Sequence, residues 1–489
     1  MVREPGLIRR GVLWLLLLGP FFFLSYGLVN NHTATLGEVG SLVFAWEHQV
    51  PLWPWTIIPY WSIDLLYGLS FLLPTTRREM DRHALALLSA QVISVSCFLL
   101  WPLRFTFERP ELDGVFGWLF DVLMGFDKPF NQAPSLHIAL LVIIWTMFAR
   151  HVRRQPWRWL MHGWMALIGL SVLTTWQHHF VDVPTGALAG FACVWLWPPH
   201  GPLPWQQARL ARETKRWRLA LSYAAGALLC AVLAIALGGA WLWLAWPAVS
   251  LALVALNYGV LGAGGFQKGA DGRLSNAARW LLAPYLMGAW VNSRLWTWRH
   301  RQADEICDGV YLGRIPQRGA PFAAVVDLCA ELPCHVQADG SLPCRVQADG
   351  SRCRSGLVPR KGRDAAPAIS AAKLKTWGRF APLSRHKAAP TPVASAGYAC
   401  FPTLDLIAPD SPLLLQAAIA IERLRAHGPV LVCCALGYSR SASAVAAWLV
   451  HSGRCADIDQ AEALIRQARP RVVLHTAHRQ ALGQLRAQP

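Results

Sequence analysis

Residues 432–441 read VCCALGYSRS, and this stretch decides the fold of the C-terminal part of the chain. A run of apolar β-forming residues, PVLVC at 429–433, leads into Cys434, and five residues separate this cysteine from Arg440. The run SASAVAAWLV at 441–450 follows directly and favours a helix. The pattern therefore predicts a strand, a tight loop and the N-terminus of a helix.

The residues of this loop suit a tetrahedral oxyanion. Backbone N–H groups of a tight loop and the positive end of the following helix attract an anion. The same field favours the thiolate form of cysteine, so Cys434 is a candidate nucleophile, and the planar guanidinium of Arg440 matches two oxygens of one anion. The remaining phosphate-binding candidates are the loop residues Ala435, Leu436, Gly437, Tyr438 and Ser439.

The C-x5-R spacing, with GYSRS at its end, resembles the dual-specificity (tyrosine/serine/threonine) phosphatase family. This resemblance covers about 303–485 and implies a soluble α/β domain that cleaves phosphomonoesters through a phosphocysteine. It also implies Asp405 as the general acid and Ser441 as the hydroxyl that stabilises the departing thiolate. Asp410 is the alternative acid, or a cap of the helix that follows it. Cys433 stands where the family usually has histidine.

Composition indicates a membrane protein over at least half of the chain. Of 489 residues, 54% are hydrophobic, 15% are charged and 25 are tryptophan. The formal net charge is +18, but the basic residues lie mostly between apolar segments, which argues against nucleic acid as a partner. An active thiolate requires a reducing compartment, so the cysteines are not interpreted as a disulfide framework.

Eight apolar segments approach the roughly 20 residues that a helix needs to cross a bilayer. They lie at about 11–29, 52–73, 84–103, 135–149, 158–176, 183–198, 219–237 and 240–262. One set of connections holds most of the arginines, whereas the opposite set holds Arg104, Arg109 and Lys128. The positive-inside rule places the N-terminus, as a retained anchor, and the C-terminal domain in the cytoplasm. A further apolar stretch at 277–292 is interpreted as an interfacial helix, with a ninth span as the alternative.

Ionisable residues mark the ends of spans on the sparsely charged outer side. PSLH at 134–137 begins the fourth span, and HHFVD at 178–182 begins the sixth. Such groups are costly at a membrane boundary and are usually functional. His178 and Asp182 are four residues apart, so on a helix the carboxylate can fix the imidazole tautomer. With His137 on the same side, these groups suit phosphoryl transfer.

These outer loops resemble the type 2 phosphatidic acid phosphatase superfamily in its six-span form. The PSxH motif of that superfamily matches Pro134, Ser135 and His137, and its HxxxD motif matches His178 and Asp182. The resemblance implies His178 as the nucleophile, His137 as the general acid and Asp182 as the orienting carboxylate.

The match to this superfamily is incomplete. The Arg-Pro pair at Arg109 fits the first motif, and Arg104 replaces its lysine at a shifted spacing; with Ser135, these are the expected phosphate-binding residues. Val172 stands where arginine is expected, and His179 is an alternative nucleophile. The departures resemble the inositol-phosphotransferase and sphingomyelin-synthase-like branch, and they leave water and a lipid alcohol open as acceptors.

Residues 332–397 interrupt the C-terminal domain and are interpreted as a flexible insertion. LPCHVQADG at 332–340 is nearly repeated as LPCRVQADG at 342–350. Four residues are conceivable metal ligands, but their spacing differs from that of compact zinc motifs: Cys334, His335, Cys344 and Cys353.

The whole sequence predicts a multi-domain fold that resembles a bacterial membrane fusion of the two phosphatase families. The predicted units are an all-α membrane bundle at 1–200, further membrane and interfacial helices at 201–302, and an α/β domain at 303–489. We expect an outward lipid-phosphate site and a cytoplasmic phosphomonoesterase, with membrane lipids and a phosphorylated protein or phospholipid as partners and no metal or cofactor. The alternatives are a phospholipid head-group phosphotransferase, whose C-terminal domain is a lipid-phosphate phosphatase or regulator, and a transporter or scaffold with inactive sites.

Overall fold

The computed structural model describes residues 3–316, 322–334 and 397–486. Most of the predicted insertion, with His335, Cys344 and Cys353, lies outside the described residues.

The helical part of the chain begins with seven helices, which place the ends of the predicted spans close to one another. They are α1 (Leu7–Ala34), α2 (Ile57–Ser70), α3 (Arg77–Leu100), α4 (Gly114–Phe126), α5 (Leu136–His151), α6 (Trp157–Thr174) and α7 (Asp182–Leu196). Six of them correspond to the predicted spans, whereas α4 lies in a connection for which the sequence analysis predicted no helix.

Four more helices follow in this part of the chain: α8 (Thr214–Leu237), α9 (Ala245–Leu256), α10 (Asn276–Leu281) and α11 (Ala283–Trp296). The apolar stretch at 277–292 is thus divided between α10 and α11. Their lengths of 6 and 14 residues are below the roughly 20 that a span requires. The division favours the predicted interfacial segment over a ninth span.

Among the described residues, four helical stretches are long and apolar enough to cross a membrane. They are Leu7–Ala34, Arg77–Leu100, Thr214–Leu237 and Gly239–Phe266, the last being α9 with its flanking 3-10 and π turns. The helices α5 and α7 are apolar but shorter, at 16 and 15 residues. Large apolar side chains are exposed along the long helices, for example Leu16 and Leu221 at 66% and 64%, which is consistent with membrane association.

Basic residues from separate connections meet at one end of the helical part (the basic end). Arg10 pairs with Asp81 at 2.6 Å, and Glu79 accepts from both Arg150 and His151 at about 3 Å. Because His137 is the second residue of α5 and Arg150 lies in its last turn, the predicted histidine site lies at the opposite end of the bundle. The separation agrees with the charge asymmetry of the sequence.

The C-terminal part is a five-stranded sheet flanked by helices. Its strands are β1 (Asp304–Cys307), β2 (Val310–Arg314), β3 (Ala324–Cys329), β4 (Tyr398–Thr403) and β5 (Val430–Cys434), in the order β1-β2-β5-β3-β4. Only β1 is antiparallel to its neighbour among these strands. The helices are α12 (Ser411–Arg425), α13 (Arg440–His451), α14 (Ile458–Ala468) and α15 (Thr476–Arg486).

The central strand β5 explains the position of the cysteine. All five of its residues are buried, as expected for a parallel strand that is covered on both faces. Helix α13 starts at Arg440 and packs its small residues and the fully buried Trp448 against the sheet. Cys434 is therefore fixed at the carboxyl end of the sheet, where α/β folds place their ligands.

A lysine from the helical part completes the interior of the sheet domain. The loop between Phe266 and α10 places Lys268, whose side chain is fully buried, 2.6 Å from Asp327 of β3. Its ammonium also donates to the carbonyls of Cys329 and Leu332 at 2.6 and 2.7 Å. Burial alone lowers the pKa of a lysine, but Asp327 holds the pKa of Lys268 above its ordinary value. Lys268 and Asp327 therefore form a buried ion pair across the domain boundary that the sequence analysis placed at 303.

We predict that Lys268→Met destabilises the protein by about 3–5 kcal/mol, because it leaves the Asp327 carboxylate buried without a counter-charge. Thermal unfolding of the full chain in detergent measures the change. Arg273→Met, at an exposed position of the same loop, is the control and is expected to unfold like the unmodified chain. Equal stability of the two variants would contradict a structural role for the buried pair.

Candidate active sites

Two hydrogen-bond donors converge on the sulfur of Cys434, which is 2% exposed. The backbone N–H of Gly437 and the hydroxyl of Ser441 donate to Sγ, both at 3.2 Å. Donors aimed at sulfur favour the thiolate over the thiol. The geometry thus brings the predicted nucleophile and the predicted hydroxyl into direct contact.

Glycine is required in this loop at one position. Gly437 has a φ of +77°, and a Cβ there would lie 2.3 Å from the carbonyl carbon of Gly313 in β2. Both the left-handed backbone and the close approach exclude a side chain. The segment 434–440 (the cysteine loop) is therefore seated directly against the neighbouring strand.

Arg469 holds the opposite side of the cysteine loop. Its guanidinium donates to the carbonyls of Gly437 and Leu436 at 3.0 and 3.4 Å, and it pairs with Asp304 at 2.6 Å. Because the peptide unit is planar, engaging the Leu436 carbonyl turns the next N–H the other way, towards Cys434. Arg469 thus orients a donor of the anion site, a role that the sequence analysis did not predict.

The guanidinium of Arg440 is held by carboxylates before any substrate binds. Glu331 accepts from both terminal nitrogens at 2.9 and 2.6 Å, and both side chains are about 97–98% buried. Burial raises the pKa of Glu331, but the Arg440 charge outweighs this and lowers that pKa below its ordinary value. The sequence analysis did not predict a role for Glu331, which lies 109 residues from Arg440 along the chain.

Of the two predicted acids, the structure brings Asp405 to the loop. Its carboxylate lies 2.8 Å from Arg440, and its side chain is 31% exposed. Burial and the nearby Glu331 raise the pKa of Asp405 despite the opposing effect of Arg440, which suits a proton donor. Asp410 instead caps α12, accepting from the N–H of Leu413 at 3.0 Å.

Ser439 and Tyr438 connect the loop to the C-terminal segment. The hydroxyl of Ser439 lies 2.7 Å from Nε2 of His478, and the carbonyl of Tyr438 accepts from the N–H of Val473 at 2.9 Å. Ser439, which the sequence analysis named as a phosphate-binding candidate, is thus bonded to the C-terminal segment through His478.

Cys433 lies on the other face of β5 from Cys434 and is fully buried. Its sulfur, that of Cys334 and a carboxylate oxygen of Asp327 lie within 4.8 Å of one another. The ammonium of Lys268 already occupies the cation position beside Asp327, and Tyr398 also donates to this carboxylate at 2.8 Å. We therefore assign no metal to this cluster.

At the opposite end of the bundle, His178 lies in a buried hydrogen-bonded chain. Its Nδ1 is 3.2 Å from the carboxylate of Asp182, and its Nε2 is 3.1 Å from the hydroxyl of Ser135. An ionised carboxylate only accepts, so Nδ1 carries the proton and Nε2 is the free base. This tautomer leaves Nε2 of His178 as the ring nitrogen with a free lone pair.

His137 lies in the first turn of α5, close enough to His178 for the two ring charges to interact. Its ring stacks on Tyr60 with centroids 4.1 Å apart, and Nε2 is buried without a hydrogen-bond partner among the described residues. Tyr60 and Tyr26 donate to the buried carboxylate of Asp127 at 3.4 and 2.7 Å. The sequence analysis did not single out Asp127, whose charge also acts on His178.

The alternative nucleophile His179 has both nitrogens engaged. Its Nδ1 lies 3.2 Å from Glu47, and its Nε2 accepts from the backbone N–H of Thr106 at 3.2 Å. A backbone donor cannot rotate away as a serine hydroxyl can. The geometry therefore favours His178 over His179.

The two predicted arginines differ in position. Arg104 is exposed, whereas Arg109 lies over the ring of Phe120 at 4.5 Å and donates to the carbonyl of Trp176 at 3.0 Å. Nε of Arg109 is buried and has no partner within the described part of the chain. A small cavity of about 10 Å³, roughly the space of one water molecule, adjoins His178, and its aromatic lining is Trp46, Phe105, Phe107 and Trp176.

The chain matches no family model and no curated protein. Among solved structures, it is similar to PTPMT1 in complex with PI(5)P, at a TM-score of 0.24 and 15% identity, over 38% of this chain and 95% of that chain. It is also similar to Tk-PTP in the active form, at a TM-score of 0.23 and 21% identity, over 38% of this chain and 97% of that chain. These TM-scores are too low to establish function, so the site geometry supports what is proposed below.

We predict that Glu331→Gln weakens vanadate binding at the cysteine loop about tenfold, because Arg440 loses a charged bidentate partner that fixes its orientation. Isothermal calorimetry on the full chain in detergent measures the affinity. Glu422→Gln is the matched control, since Glu422 pairs with Arg425 away from the loop. The guanidinium of Arg440 also donates to the carbonyl of Thr403 at 2.7 Å. Equal affinities for both variants would show that this carbonyl and the carboxylate of Asp405 suffice to hold the guanidinium.

Proposed function

We propose that the chain is an integral-membrane phosphatase with two separate sites. One is a cysteine-dependent phosphomonoesterase at the basic end, which faces the cytoplasm. The other is a lipid-phosphate site of the phosphatidic acid phosphatase type at the opposite end, which faces outward. The observation that carries the proposal is the sulfur of Cys434, which accepts from Gly437 and Ser441 beside a guanidinium held by Glu331.

In the cytoplasmic site, the thiolate of Cys434 attacks phosphorus while the substrate oxygen leaves. The loop N–H groups and Arg440 stabilise the equatorial oxygens. Asp405 donates its proton to the leaving oxygen and then accepts a proton from the water that hydrolyses the phosphocysteine. Ser441 stabilises the thiolate that departs in this second step through its 3.2 Å contact.

In the outer site, Nε2 of His178 attacks a lipid phosphomonoester and forms a phosphohistidine. Asp182 holds the ring through Nδ1 and stabilises the positive charge that develops. His137 is the proposed proton donor to the leaving oxygen, and Arg109 supplies positive charge near the phosphate. Water then releases inorganic phosphate and restores the free imidazole. The apolar lining of the adjoining cavity suits a lipid substrate.

To test the cytoplasmic site, the outer site is first silenced by His178→Ala. In that background, we expect Cys434→Ser to reduce hydrolysis of p-nitrophenyl phosphate on the order of 10⁴-fold or more, because the nucleophile is lost. Cys433→Ser is the control: it changes the neighbouring thiol on the other face of β5 and should retain activity. Hydrolysis that persists in the Cys434 variant would rule out the thiolate mechanism.

The outer site is tested in the reverse background, Cys434→Ser. Here we expect His178→Ala to abolish phosphate release from phosphatidic acid in mixed micelles, whereas His179→Ala should retain a measurable rate. Trapping with ³²P-labelled lipid followed by acid quenching detects the acid-labile phosphohistidine. Loss of labelling in the His179 variant alone would exchange the roles of the two histidines.

A further inference from the structure

The cysteine loop and the loop at 404–410 that carries Asp405 (the acid loop) both contact the membrane helices. The hydroxyl of Ser293 in α11 donates to the carbonyl of Ala435 at 2.5 Å. The hydroxyl of Tyr258, just after α9, donates to the carbonyl of Asp405 at 3.1 Å. Leu404 and Ile407 of the acid loop belong to the same hydrophobic cluster as residues of α8 and α9. The catalytic end of the sheet is thus packed against the bundle.

Aromatic side chains of the bundle form one wall of the site. Tyr223 of α8 lies with its ring centroid 5.4 Å from Tyr258 and 5.7 Å from Tyr285 of α11. All three are near enough to Asp405 and Glu331 to interact with their charges. On this side, the membrane helices therefore line the approach to the cysteine loop.

An exposed lysine stands at the rim of the site. Lys215 is the second residue of α8. The next residue, Arg216, donates to the carbonyl of Tyr258 at 2.9 Å, and the hydroxyl of Tyr258 donates to the carbonyl of Asp405. The start of α8 therefore lies beside the acid loop, close enough for the charge of Lys215 to act on Asp405 and on His478, which is bonded to Ser439 of the cysteine loop. A cation here adds a second anion-binding point beside Arg440.

The same helix leads from this lysine into the bilayer. Its exposed apolar side chains begin about six residues, or roughly 9 Å, beyond Lys215. Their exposed fractions exceed one half: Leu221 64%, Leu228 65%, Leu229 59%, Val232 51% and Ile235 66%. Lys215 therefore lies at head-group level, with a lipid-facing surface directly below it.

We propose that the cysteine site acts on a phosphomonoester carried by a membrane lipid, and that Lys215 selects this substrate by binding the phosphodiester of its head group. This inference rests on the proposed phosphomonoesterase. The acyl chains remain in the bilayer along α8 while the terminal phosphate reaches Cys434. A phosphoprotein would have to approach the same loop past the bilayer surface and the tyrosine wall.

The test uses the full chain with His178→Ala, reconstituted in phosphatidylcholine vesicles. Phosphatidylglycerophosphate in the vesicles, a phosphotyrosine peptide and p-nitrophenyl phosphate are compared. We expect kcat/KM for the lipid to exceed that for the peptide about 100-fold. Lys215→Ala should lower kcat/KM for the lipid about tenfold, as expected for one lost charged contact, and should lower it much less for p-nitrophenyl phosphate, which has no phosphodiester to bind. Arg209→Ala, at an exposed basic position before α8, is the control and should leave all three rates unchanged.

Each other outcome has a distinct meaning. A kcat/KM for the peptide equal to that for the lipid would overturn the lipid assignment. An equal fall in kcat/KM for all three substrates in the Lys215 variant would overturn it too. Absence of Cys434-dependent hydrolysis of p-nitrophenyl phosphate overturns instead the proposed phosphomonoesterase, which this small soluble substrate reports independently of the membrane.

Discussion

The contact between Lys268 and the end of β3 is the interaction on which the site around Cys434 depends. The ammonium binds Asp327 and the carbonyls of Cys329 and Leu332, which flank Glu331 in sequence. Glu331 in turn fixes the guanidinium of Arg440. A charge supplied by the helical part of the chain therefore sets, through two buried ion pairs, the direction of the group that binds the anion. The site around Cys434 therefore depends on residues from both parts of the chain.

Both candidate sites use a carboxylate to orient a nitrogen group that would otherwise rotate. Asp182 fixes the tautomer of His178, and Glu331 fixes the plane of Arg440. Each carboxylate is buried, so the interaction acts in a low dielectric and cannot be replaced by water. Substrate binding then costs little reorganisation, which is the condition for stabilising charge in a transition state.

Local patterns in the sequence predicted the strand, cysteine loop and helix around Cys434, since apolar runs, small residues and the C-x5-R spacing are short-range signals. The four-residue spacing of His178 and Asp182 likewise predicted their pairing. Glu331, Arg469 and Lys268 were not predicted, because their roles arise from contacts across long stretches of chain. The sequence analysis did not predict helix α4, because it assigned the segment between two predicted spans to a loop. These features depend on tertiary packing, which no local pattern encodes.

The burial of Lys268 also fixes an order of events during synthesis. Lys268 leaves the ribosome 59 residues before Asp327, its counter-charge. The preceding helices can enter the bilayer first, because N-terminal segments fold first on the ribosome. The ammonium of Lys268 then remains hydrated at the membrane–water interface, and the later strands assemble around it. In this order, the helical part of the chain is in place before the sheet around Cys434 assembles.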